Sequence, residues 1–382
     1  MSWERTKAST MTLSPAPSML RWLLVGVLAV IFGAILFTLH ATGTVAVLAE
    51  YNIWWVSLIP ASCWLLLFCI RGWFRGREVD EYTFLQQEAD RAQKHWEAWA
   101  ARYVTVIKSC AFLPESITAC CLYAELPQQY RLSARVDYLP QGSSPVQSRL
   151  GLLLTGVLDA IQGLPATLPL KVTLVTDDRQ DTLADTFSEA WKELLPERTL
   201  PAEITVTQMR SMHMLEDRLK QPDLTVELLL VMQLHGGTAY SDGLAALLLT
   251  SDDVAQKYQL PHVARLLRPM ALDMKQFTSQ LTLFLETQTV ARQTSRVFCD
   301  SVGWHDYFAE LLTTGTAHHA RWKPEEIGVL ERWCGIPGPG GGWLLAALLA
   351  DVVNISNTPV LGLFTSATDH FVSTITPGSE NQ

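Results

Sequence analysis

Basic residues are missing from a long stretch near the start of this chain. Between Arg21 and Arg71 there is no Lys or Arg, and Glu50 is the one acidic residue. Charge is scarce throughout, at 18% of 382 residues against roughly 25% in average domains. Cysteine is present but unpatterned. Cys63, Cys69, Cys110, Cys120, Cys121, Cys299 and Cys334 form no C-x-x-C and no paired Cys/His set of the kind zinc requires. Free thiols in a reducing compartment are the expectation. No Lys/Arg run interleaved with aromatics occurs, and the net charge is −9, which excludes nucleic acid as a partner. No G-x-S-x-G elbow and no Walker loop appears, so motifs assign no catalytic residue, no metal and no cofactor.

What is there begins with two apolar runs. Residues 22–39 carry no charge, and residues 51–70 are interrupted only by Asn52 and Pro60. A hydrocarbon core of about 30 Å takes roughly 20 apolar residues as helix, so each run is long enough to span a bilayer. Within lipid a helix satisfies its own backbone. The reading is a transmembrane hairpin over residues 21–71, its loop running from His40 to Glu50. Arg5, Lys7 and Arg21 precede it and Arg71, Arg75 and Arg77 follow it, while the loop has no positive residue. That asymmetry places both termini on the cytoplasmic side of the membrane, with residues 22–70 against membrane lipid. Trp54, Trp55 and Trp73 suit interfacial anchors. No Asp, Glu, Lys or Arg lies inside either run, which disfavours a transport path.

Residues 1–20 are rich in Ser, Thr and Pro and read as a disordered cytoplasmic tail. From residue 78 to 108 the apolar positions Leu85, Ala89, Ala92, Trp96, Trp99, Tyr103 and Val106 step by fours and threes, predicting a helical stalk. It either packs on its own domain or forms a coiled coil, for which Ala and Trp are poor seam residues.

Residues 110–378 alternate short apolar strands with helices, which predicts a cytoplasmic α/β domain with a mixed or mostly parallel sheet. Strands are expected at 130–139, 170–176, 203–208, 224–234, 243–250, 359–364 and 370–376. Helices are expected at 145–161, 182–195, 212–220, 274–293, 304–312, 324–333 and 343–353, with one opening at Ser251 or Asp252, both good caps.

Two places resemble a known family. Tyr240-Ser-Asp-Gly-Leu-Ala-Ala-Leu-Leu-Leu-Thr250, following Leu-His-Gly-Gly, is similar to the Asp-Gly-Ala-Ala-hydrophobic strand of the thiolase and β-ketoacyl synthase condensing enzymes. Gly335-Ile-Pro-Gly-Pro-Gly-Gly-Gly342, then a helix and two strands, resembles the end of the same fold. The resemblance implies a thiolase-like, duplicated core across residues 115–378. It also implies a nucleophilic Cys at a strand-to-helix turn, which Cys120 and Cys121 do not match. The family's catalytic histidines lack clear counterparts, and Phe364-Thr-Ser-Ala-Thr-Asp369 holds no glycine where the family has a Gly-rich closing loop. A scaffold without its chemistry is what these departures imply. The layout of tail, anchor, stalk and degenerate domain resembles accessory adaptor proteins of bacterial type VI secretion, which implies a bacterial inner membrane and cytoplasmic or membrane protein partners. The alternative is a membrane-tethered thiolase-like enzyme acting on an acyl or lipid substrate.

Candidate sites are few. Ligands in open α/β sheets bind beyond the carboxyl ends of strands. His235, Gly236 and Gly237, which end the most apolar strand, with Tyr240 and Asp242 nearby, therefore form the candidate pocket. The competing reading is a hydrogen-bonded structural His. Asp177-Asp-Arg-Gln-Asp181 spells a magnesium-binding string, or a solvated turn ending in Asp181 as a helix cap. Gly338 to Gly342 could present N–H groups to an anion, or simply allow a close helix approach. His318 and His319 are adjacent, a poor arrangement for one metal, and read as surface loop.

Overall fold

Both apolar runs are helical, and each helix outlasts its run. Helix α1 spans Met19–Ala41 and helix α2 spans Ile53–Ala101. The computed structural model describes all residues except 1, 2, 4, 6–9, 17, 45–49, 125–134, 141–144, 179–181, 367 and 379–382. The chain divides into two units, Arg5–His95 and Met1–Glu4 with Trp96–Gln382.

In the first unit α1 packs antiparallel on the start of α2, with small residues setting the approach. A Cβ on Gly26 would lie 2.7 Å from the Trp64 ring, and one on Gly33 would meet the Ser57 carbonyl. Trp64 Nε1 donates to Trp22 O at 3.1 Å, and Trp22 meets Phe68 edge-on. At the other end the His40 ring lies 2.9 Å from Tyr51 O. The expected loop between them falls partly on residues 45–49, outside the described residues. Leu23, Leu24, Val27, Leu28, Leu65 and Leu66 are all more than half exposed. Two helices are thus long and apolar enough to cross a membrane by length and composition. Beyond Ile70, α2 continues without a break, and the tail runs beside it. Ser14 Oγ donates to Glu78, Arg75 donates to both, and Arg5 donates to Gln93.

The spacing that predicts a stalk to Lys108 overshoots. Helix α2 ends at Ala101, and Tyr103–Phe112 is strand β1. Tyr103 and Val106 fit a helical step, but Val104-Thr105-Val106-Ile107 is a β-branched run. It pairs on both edges in the middle of a sheet. The orphan carbonyls that end α2 find partners: Trp99 O accepts from Arg268 Nε at 3.1 Å and Ala100 O from Gln288 Nε2 at 2.9 Å. Arg102 then forks onto Asp252 at 2.8 and 2.6 Å, and reaches Asp253. Trp3, from the segment read as a tail, is 5% exposed in this unit. Its ring meets Trp99 and Phe284, and its Nε1 donates to Pro269 O.

After β1 come α3 (Ala119–Ala124), α4 (Val146–Gln162), β2 (Leu170–Thr176), α5 (Leu183–Leu194), β3 (Glu203–Thr207), α6 (His213–Lys220), β4 (Val226–Gln233), β5 (Gly243–Ser251) and α7 (Asp252–Lys257). There follow β6 (Ala264–Leu267), β7 (Met270–Leu272), α8 (Phe277–Thr287), β8 (Arg296–Cys299), α9 (Phe308–Ala317), β9 (Ile327–Val329), α10 (Glu331–Cys334), α11 (Gly341–Ser356), β10 (Val360–Ser366) and β11 (Asp369–Pro377). One mixed sheet runs in the order β3-β2-β4-β5-β1-β6-β11-β10-β8-β9, with β7 also on β11.

The order is a duplication. From its outer edge each half reads third strand, second, fourth, fifth, first: β3-β2-β4-β5-β1, and β9-β8-β10-β11 followed by β6 and β7. In both halves the outer three strands are parallel and the fifth is antiparallel to its neighbours. Helices also correspond, α4 with α8, α5 with α9, and α6 with α11. The resemblance implied this duplicated core.

Side-chain alternation sets the layers. On β4, Leu228, Leu230 and Met232 face α4 and α5, whereas Leu229 and Val231 join the cluster around α11. Helix α11 is buried and apolar all round from Gly341 to Ala350 because it lies in the middle, against strands of both halves. A third cluster packs α8 and α9 on the second half.

Two further expectations need revision. Residues 324–333 are not one helix: β9 interrupts them, a three-residue strand too short to show a period. Strands β6, β7 and β8 are also short, at three or four residues each. Arg135–Leu139 is not a strand, and the rest of the expected 130–139 strand is outside the described residues.

Candidate functional site

The loop from β4 to β5 carries His235, Gly236, Gly237, Tyr240 and Asp242, and the fold brings them together over the carboxyl ends of β2 and β4. The residue that gathers them is Asp177, first after β2. Its backbone N–H donates to Met232 O, continuing the ladder. Its carboxylate accepts Leu234 N at 2.9 Å, His235 N at 2.8 Å and Tyr240 Oη at 3.1 Å. The His235 Nδ1 lies 3.4 Å away. Burial, and then the charge of Asp177, push the Tyr240 phenol up to about 12. The His235 side chain is 48% exposed, with Nε2 3.9 Å from Asp178.

Asp242 does not point into this cluster. Its carboxylate accepts Leu139 N at 3.0 Å, and its own N–H donates to Asp137 O at 2.9 Å. It clamps segment 135–139, and burial raises its pKa. Tyr138 Oη donates to Gly237 O at 2.9 Å, and Gly237 has φ +56°.

The glycine-rich turn closes over the same loop. Gln233 donates through Nε2 to Ser241 O at 2.7 Å and accepts Gly340 N at 3.0 Å. Ser241 N donates to Ile336 O, and Ile336 N to Arg135 O. A Cβ on Gly338 would lie 2.6 Å from both the Gln233 side chain and the Tyr240 ring. Gly335 has φ +85° and abuts Ser241 Oγ. These glycines let the turn meet β4 closely. Gly340 N–H is engaged by Gln233 and Gly341 N–H by Gly338 O, so neither faces an anion.

The crevice left between Asp177, Gln208, Gln233, Pro339 and Gly340 has a volume of only about 10 Å³. Small-molecule pockets usually offer about 300–1,000 Å³. The candidate pocket is a hydrogen-bonded crest presenting the His235 ring. Of the Asp177-to-Asp181 string, residues 179–181 are outside the described residues, and Asp177 is fully engaged by protein donors. Among the described residues no group of three metal-ligating side chains forms. His318 and His319 lie in the turn after α9, with His319 at φ +67°.

Sequence reasoning missed the counterpart of Asp177 in the second half. Asp300 directly follows β8, donates its N–H to Leu363 O, and accepts Thr365 N and Oγ1 and Trp304 Nε1. It is 1% exposed, and burial pushes its carboxyl up to about 6. The signal was available: Val175-Thr176-Asp177 and Phe298-Cys299-Asp300 both place Asp after an apolar strand. Also missed was His213, which opens α6. Its Nε2 lies 3.6 Å from Asp369, and its ring meets Phe371, so it joins the first half to the β10–β11 hairpin of the second.

The strand-to-helix turns hold no cysteine. The turn from β3 to α6 reads Gln208-Met-Arg-Ser-Met212. Cys120 and Cys121 lie in α3. Cys299 ends β8 but is buried, its thiol held well above the usual range by burial. Burial pushes Cys110 up to about 12. Cys334, in α10, donates to Leu330 O.

With this duplicated sheet around a buried central helix, the class is a thiolase-like fold. The chain is similar, at 12% identity and a TM-score of 0.50, to a chain of AntDE:AntF, a type II polyketide synthase acyl-carrier protein in complex with its ketosynthase bound to the hexaketide; the match covers 73% of this chain and 100% of that one. It is also similar to OleA of Xanthomonas campestris (9% identity, TM-score 0.44, 72% and 99% covered). A third is 3-oxoacyl-(acyl carrier protein) synthase III, FabH, of Pseudomonas aeruginosa (12%, 0.42, 73% and 99%). No protein-family model and no curated protein matches the chain.

Proposed function

We propose that this chain is a membrane-anchored adaptor whose thiolase-like domain presents a surface to protein partners and performs no acyl condensation. The observation that carries the reading is that no strand-to-helix turn of the domain holds a cysteine, whereas the resemblance implies a nucleophilic cysteine at such a turn. The apolar faces of α1 and α2 support the anchor. They expose leucine, valine and isoleucine to an extent that water would oppose, at about 25 cal/mol per Å². The positive-inside pattern supports an inner-membrane hairpin with both termini cytoplasmic. The setting we infer is an accessory role in type VI secretion, on the layout of tail, hairpin, helix and degenerate domain.

A tethered enzyme acting on an acyl or lipid substrate is the second reading, favoured by His213 and Asp369 meeting where the two halves join. Incubation of the detergent-solubilised chain with an acyl-thioester separates the two. The adaptor reading expects neither thiol release above background nor a covalent acyl adduct by mass spectrometry. An adduct on any Ser or Cys, abolished by His213→Ala, would establish the enzyme instead.

A further inference from the structure

Charge along α2 is sorted by depth. Its apolar run ends at Ile70; Arg71, Arg75 and Arg77 follow, and only then Glu78, Asp80 and Glu81. At 1.5 Å per residue the three arginines occupy about 9 Å of helix. The headgroup layer on one side of a bilayer is roughly 5–8 Å deep, from a total near 40–45 Å around a core of about 30 Å. Arg71 and Arg75 therefore fall at headgroup depth; Arg77 lies just past it with its guanidinium over the ring of Trp73, one turn nearer the core, and the acids follow.

The antiparallel hairpin adds a fourth. Trp22 is held to Trp64 and Phe68, so Arg21 lies at the same end of the hairpin as Arg71. Arg75 is engaged by Glu78 and Ser14. Among the described residues Arg21, Arg71 and Arg77 have no carboxylate partner, and all three are exposed. Arg77 lies over the Trp73 ring at 5.4 Å, which holds the guanidinium beside an exposed interfacial aromatic. Guanidinium groups bind phosphate oxygens in bidentate fashion and stay charged.

We propose that Arg21, Arg71 and Arg77 form a collar that selects anionic phospholipids around the cytoplasmic end of the hairpin. This rests on the anchor reading above. A basic residue near an anionic surface is worth roughly fivefold in binding, so the three together should enrich anionic lipid many-fold.

The test uses the full chain in vesicles of pure phosphatidylcholine and in an equimolar mixture with phosphatidylglycerol. Lipids retained by the detergent-extracted protein are counted by native mass spectrometry. Wild type should retain phosphatidylglycerol well above its bulk fraction, less so at high salt. The variant with Arg21→Gln, Arg71→Gln and Arg77→Gln should return to the bulk ratio while still floating with vesicles. Bulk-ratio retention by a wild type that floats with phosphatidylcholine would overturn the collar and leave the anchor standing. A wild type that fails to float with phosphatidylcholine would overturn the anchor itself.

Discussion

Asp177 and Asp300 hold the same register in the two halves of the sheet. Each donates its N–H to a carbonyl of the half's fourth strand, Met232 or Leu363. Each accepts, on its side chain, the N–H two residues further on, Leu234 or Thr365. A carboxylate so placed joins the second strand to the fourth just where their ladder ends. The environments have since parted: Asp177 retains access to water and shares its oxygens with Tyr240, whereas Asp300 is sealed under Trp304.

That burial gives stability a pH dependence. Asp300 titrates near 6 in the folded chain and near 3.9 unfolded, so the folded state holds the extra proton between those values. Stability should fall as pH rises through this window, by about 3 kcal/mol from this residue, and be flat in it above pH 6. Asp351, raised by burial to about 6, adds to the same slope. Asp300→Asn should reduce the slope between pH 4 and 6 in urea titrations. An unchanged slope would show that Asp300 is not the source.

Gly335→Ala should destabilise the α/β domain by roughly 2–4 kcal/mol. A non-glycine residue at φ +85° costs about 1–3 kcal/mol, and the new methyl would strike Ser241 Oγ and Arg135 O. Gly76→Ala, in an exposed part of α2 with open space around it, should be neutral or slightly stabilising. Denaturation midpoints of the two variants check the contrast.

Thiol labelling should follow burial. Within the α/β domain, iodoacetamide under native conditions should modify Cys120 first, since it is exposed, and spare Cys299 and Cys334 until the domain unfolds. Peptide mass spectrometry reads the order. Rapid modification of Cys299 would contradict its place at the end of β8.

The first half was legible because its strands are long enough for a pattern to show. Val226–Gln233 and Gly243–Ser251 are buried throughout and hold long apolar runs, as strands covered on both faces do. The second half was not, because β6 to β9 hold three or four residues each and borrow their conformation from neighbours. Tyr103 to Ile107 was misread because one helical step coincides with a β-branched run. His235 and Tyr240 were found as a pair by their place after β4, but Asp177, which organises them, was read as part of a turn. The sequence named the neighbours and hid the hub, since a side chain's partners across a sheet leave no local spacing.

Trp3 carries a consequence of a different kind. It is buried in the same unit as residues 96–382, so the chain leaves that unit after its first few residues and returns to it at Trp96. A path that starts and ends on one side of a closed surface crosses it an even number of times. Parity alone therefore admits both α1 and α2 as membrane spans, or neither, and forbids exactly one.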